Sequence, residues 1–104
     1  MQGKGVVLLG GAHGSLALAR SLGHRHVRVS YLTHDSLLPG LSRFVRDNVR
    51  WPGPREPGAV AHLLELARRH GWHGDLLVPG GDAEIELVSE HRETLAQAFD
   101  IVLP

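Results

Sequence analysis

Two glycine-bearing segments hold the residues best suited to chemistry. Gly10-Gly11-Ala12-His13-Gly14-Ser15 follows one apolar run, and Gly80-Gly81-Asp82 follows another. Glycines let the backbone approach a ligand closely, and a helix starting at Ser15 offers free N–H groups to an anion. His13 and Asp82 are the polar side chains of these segments that would face a substrate. Asp82 also suits a helix N-cap, with Glu84 and Glu86 in the first turn facing the positive helix end. A ligand-contacting turn and a tight strand-to-helix turn with no ligand fit Gly10–Ser15 equally well.

Several familiar chemistries need residues that these segments lack. The dinucleotide fingerprint requires G-x-G-x-x-G after a strand, whereas Gly10, Gly11 and Gly14 are spaced differently and His13 is bulky. The acid that would hold a ribose is replaced by Leu32 and Thr33, and Asp35 falls in a loop. No Walker lysine follows the glycines, and the first strand ends without the acidic pair that binds magnesium in receiver domains. Ser15 and Ser30 lie in no G-x-S-x-G elbow. His24-Arg25-His26 and His70-Gly71-Trp72-His73 are close histidine pairs without a third ligand at metal spacing, so no metal site is expected.

The elements that must position these segments follow from apolar periodicity. Gly5-Val6-Val7-Leu8-Leu9 is continuously apolar, as expected of a parallel strand buried on both faces. Ser15 caps a helical stretch carrying Leu18, Ala19 and Leu22, which Gly23 ends. Val27–Leu32 is a second strand, Thr33–Gly40 a loop, Leu41–Val45 a short helix, and Asn48–Trp51 a third strand closed by Pro52. The loop Pro52-Gly53-Pro54-Arg55-Glu56-Pro57-Gly58 leads to Ala59, where Val60, Leu63, Leu64 and Ala67 mark an amphipathic helix stopping at Gly71. Leu76-Leu77-Val78 is the fourth strand. Ile85, Val88, Leu95 and Phe99 carry a last helical region with a break near His91–Arg92, and Asp100-Ile101-Val102-Leu103 is the fifth strand. Strands alternating with helices through short connections specify a doubly wound parallel α/β sheet, Rossmann-like, with helices on both faces and strand order 3-2-1-4-5. In that order the carboxyl ends of strands 1 and 4 flank the point where strand order reverses. Gly10, Gly11, His13, Gly14, Ser15, Gly81 and Asp82 therefore form the candidate substrate-binding set.

At 104 residues the chain has the length of one domain. Apolar residues at 42% and charged residues at 21% are an ordinary globular balance. The formal net charge is zero, which excludes a uniformly basic nucleic-acid binder. Yet the neutrality is uneven. Residues 1–55 carry Lys4 and seven arginines against Asp35 and Asp47, a net of +6, while residues 56–104 carry three arginines against nine acids, a net of −6. The strand order places these halves on opposite sides of the sheet, where weak pairing across the seam is expected. No apolar run approaches the roughly 18–20 residues of a membrane span. Lys4, the short run Val6–Leu9 and Ala17-Leu18-Ala19 imitate a secretion signal, but the apolar part is too short, so a cytoplasmic location is expected.

Three stretches give the chain a family likeness: GVVLLGGAHGSLALARSLG at the start, Ser42-Arg43-Phe44-Val45 before a strand and a Pro-rich loop, and the closing LLVPGGDAEIELVSEHRETLAQAFDIVLP. From Gly5 to Pro104 the chain resembles the N-terminal pre-ATP-grasp domain of ATP-grasp enzymes, especially the carboxylate–amine ligase-like group. The resemblance implies a parent enzyme that joins a carboxylate to an amine through an acyl-phosphate, consuming ATP with magnesium. It implies that the ATP clamp and metal-binding carboxylates lie in downstream ATP-grasp domains of the same chain, with no catalytic residue and no cofactor site in this one. The chain stops at Leu103-Pro104, where the connection to those domains is expected to begin. The glycine turn and the loop after strand 4 would then help form the substrate side of the full cleft.

Two other readings stay open on the residues alone. One is the NAD(P)-binding Rossmann domain of an oxidoreductase. The other is a stand-alone interaction module that uses its charged sides to bind a partner or a second copy as a homodimer. The expected partners under the leading reading are a small-molecule carboxylate or amine, with neither nucleic acid nor membrane.

Overall fold

The computed structural model describes residues 5–10, 27–33 and 47–103, with the backbone alone for Asp47 and Asn48. The helix expected after the glycine turn and the short helix over Leu41–Val45 lie outside the described residues. Five strands are present: β1 (Val6–Leu9), β2 (Val29–Thr33), β3 (Asp47–Arg50), β4 (Leu76–Pro79) and β5 (Asp100–Ile101). They form one parallel sheet in the order β3-β2-β1-β4-β5. Three described helices complete it: α1 (Ala59–His70), α2 (Asp82–Glu90) and α3 (Arg92–Leu95).

Continuous apolarity in β1 does what a two-sided strand requires. Val7 and Leu9 enter one core with Leu32, Leu77 and the helices, while Val6 and Leu8 join Val29 and Tyr31 on the opposite face. All four β1 residues are buried. Each fully covered aliphatic side chain contributes about 1.5–3 kcal/mol relative to exposure. In α1 the buried stripe is Ala59, Leu63, Leu66 and Ala67, with Val60 and Leu64 half-buried at its margin. Gly71 ends α1 in the left-handed region at φ 72°, where its N–H bonds to the Ala67 carbonyl.

Boundaries shift where hydrogen bonding overrides pattern. Thr33, expected in a loop, is the buried last residue of β2 and lies opposite Arg50. Trp51 stands beyond β3, although its N–H still bonds to the Thr33 carbonyl at 3.0 Å. The fifth strand is shorter than the four apolar-leaning residues suggest. Its ladder covers Leu76↔Asp100 and Leu77↔Ile101, followed by one bond from Val102 N to Leu77 O. A short edge strand leaves little open ladder for another chain. The break expected near His91–Arg92 falls at His91, which separates α2 from α3.

At the amino-terminal edge of the sheet the two halves of the charge distribution meet. Arg28, just before β2, reaches past Gly5 to Asp75, just before β4, with Nη2 2.6 Å from each carboxylate oxygen. The Gly5 N–H donates to Asp75 Oδ1 at 3.0 Å, so one carboxylate gathers the starts of three strands.

Candidate functional site

The opposite, carboxyl-terminal edge holds the strand-order switch. There Gly10 N donates to Leu32 O and Gly80 N donates to Leu9 O, both at 2.8 Å, which sets Gly10 and Gly80 at the ends of neighbouring strands. Gly10 is in the left-handed region at φ 68°, a conformation other L residues adopt with strain. Gly81 is extended and serves as the N-cap of α2, whose first internal bond runs from Ile85 N to Gly81 O.

Of the expected site residues, the structure brings Gly10 and Gly81 together and puts Asp82 close by. Gly11, His13, Gly14 and Ser15 lie outside the described residues. Asp82 departs from its expected role: it is the exposed first residue of α2, and no side chain caps that helix end. An extended glycine can start the helix unaided, which leaves Asp82 as an acid beside the positive helix end.

The residue that fills the switch point is Glu84, named from sequence only as a first-turn acid. It is 5% exposed. A Cβ placed on Gly10 would lie 2.7 Å from Glu84 Oε2, and one placed on Gly81 would collide with Oε1. The room left by both glycines is therefore occupied by this carboxylate. Glu84 stands at the third helical position, from which a glutamate reaches back over the N-cap. The helix pattern Glu84, Leu87, Val88 places it on the inward face, and Ile85, expected inward, is only half-buried. Sequence carries one signal for this: an acid spaced i, i+3, i+4 with two apolar core residues.

Charge around the carboxyl edge is divided. Arg50 ends β3 and Arg55 follows it, while Asp82, Glu84 and Glu86 follow β4. Among the described residues no three His, Asp or Glu side chains gather as metal ligands. His70 of the His70–His73 pair stacks on the buried Trp72, with ring centroids 4.8 Å apart and planes 17° from parallel. No described helix is long and apolar enough to cross a membrane. No known family, curated protein or solved structure matches this chain.

Proposed function

We propose that this chain is the substrate-side, Rossmann-like first domain of an ATP-dependent carboxylate–amine ligase. The observation that favours this reading over a dinucleotide-binding domain is the Glu84 carboxylate in the cradle of Gly10 and Gly81. A phosphate-binding turn presents free N–H groups and positive helix ends to its ligand. Here a buried acid already fills the space beside Gly10 and Gly81, and a pyrophosphate seated there would compete with that carboxylate for the same room. The missing G-x-G-x-x-G spacing agrees with that. In the parent reaction the γ-phosphoryl group of ATP passes to a carboxylate, releasing ADP. The amine then attacks the acyl carbon, inorganic phosphate departs and an amide forms. This domain contributes a wall of the cleft, and the downstream domains hold ATP and Mg²⁺.

The test has two parts. Protein made from the whole open reading frame should release ADP only when both a carboxylate and an amine are supplied. The 104-residue chain alone, titrated calorimetrically with ATP and Mg²⁺ and by fluorescence with NADH, should show no submicromolar binding. Tight binding of either nucleotide by the isolated chain would sink the proposal.

A further inference from the structure

A second feature lies on the helical layer, apart from the strand-order switch. The breaker-rich loop after β3 and the outer side of α2 enclose a cleft of about 260 Å³, lined by Pro54, Arg55, Ala83, Glu86, Leu87 and Glu90. Arg55, Glu86 and Glu90 are exposed, and Leu87 forms a buried apolar floor. A guanidinium and two carboxylates thus share one small cleft, yet none of the three is paired with another. Opposite charges on a common rim normally close on each other or stay solvated. Here the Pro52-Gly53-Pro54 stretch precedes Arg55 on one wall, and α2 forms the other.

The cleft continues past Leu87 and Glu90 into a depression of about 430 Å³ beside the first turn of α1, where Pro57 and Val60 are apolar. Small-molecule pockets span about 300–1,000 Å³, and these paired depressions offer space of that order.

We infer that this cleft binds a small zwitterion with an apolar body, an aliphatic amino acid being the simplest example. Its carboxylate engages Arg55, a planar donor fork suited to two oxygens. Its ammonium lies between Glu86 and Glu90, and its apolar part runs along Leu87 toward Pro57 and Val60. Because the cleft is separate from the Gly10–Glu84 crevice, its occupancy does not depend on the ligase reading.

Leucine is the probe, with 3-methylbutanoate and 3-methylbutylamine as its two half-molecules. In amide NMR titrations of the 104-residue chain, leucine should produce saturable shifts confined to residues 55–60 and 83–91. Each half-molecule should bind about tenfold more weakly, the factor expected for one lost charge-assisted contact. Arg55→Gln and Glu86→Gln should each weaken leucine by a similar factor while leaving helix content unchanged, since both side chains are exposed. No saturable shift with leucine, equal binding of either half-molecule, or unaltered affinity in both variants would overturn the inference.

Discussion

Asp75 holds Arg28 across the width of β1, with Arg28 Nη2 2.6 Å from both carboxylate oxygens and Gly5 directly beneath the bridge. A Cβ on Gly5 would lie 2.6 Å from Arg28 Nε and 2.9 Å from Asp75 Oδ2. The glycine is required by space, because a methyl group there would displace the ion pair. The pair also joins the basic first half of the chain to the acidic second half, the seam that the charge count anticipates.

Breaking this bridge should cost on the order of 2–3 kcal/mol in urea unfolding, for either Arg28→Ala or Asp75→Ala. That is below the ~3–5 kcal/mol of a fully buried pair, because the Arg28 side chain is 29% exposed. Gly5→Ala should cost a similar amount by forcing the guanidinium aside. The double variant Gly5→Ala/Arg28→Ala should then be less destabilised than the sum of the singles, by at least about 0.5 kcal/mol. Additive losses would separate Gly5 from the ion pair.

The glycines at the other sheet edge should depend on Glu84 in the same way. Gly81→Ala should destabilise by roughly 1–3 kcal/mol through collision with the buried carboxylate. Most of that loss should vanish in a Glu84→Ala background. Gly10→Ala should be rescued only in part, since φ 68° leaves about 1 kcal/mol of left-handed strain whatever stands at position 84. Thermal unfolding of the three single and two double variants reads both differences. Full rescue of Gly10→Ala would mean that its backbone relaxes out of the left-handed region.

On the surface of α1 the Arg68 guanidinium hydrogen-bonds Glu65, with Nε 3.0 Å from Oε2, and holds its carboxyl below the ordinary 4.5. A lowered folded-state value means that the pair favours folding above the unfolded carboxyl range. That contribution disappears as pH falls through the lowered midpoint. Side-chain carboxyl NMR should place the Glu65 midpoint below 4.5, and Arg68→Gln should move it back up. A midpoint that ignores the substitution would leave the hydrogen bond without a role in solution.

Strand order and α1 were legible because they rest on repeated signals. Val6–Leu9 is apolar at every position, Leu63 and Ala67 recur at helical spacing, and Gly71 and Pro52 punctuate the elements. Glu84 and Asp75 read from sequence as surface acids, because an acid in an apolar neighbourhood looks like surface until its partner is known. Asp75 is buried because Arg28, 47 residues away, arrives over Gly5. Such long-range pairings leave no periodic trace. Glycine spacing around positions 10 and 81 revealed that room is needed there, but only the fold shows that the protein's own carboxylate takes it.

Two buried tryptophans should respond differently to the same substitution. Trp51 is 3% exposed, and its indole Nε1 has no hydrogen-bond partner among the described residues. Such a group costs about 1–3 kcal/mol. Trp51→Phe removes that donor while opening a cavity on the same core face as Leu32 and Leu63, and the two effects oppose each other. Its net change should stay within about 1 kcal/mol. Trp72 is fully buried and stacks on His70, so Trp72→Phe loses packing and part of a ring contact with no donor to relieve. Chemical unfolding should show Trp72→Phe to be the more damaging by at least about 1 kcal/mol. Equal losses would imply that the Trp51 indole N–H finds a partner in solution.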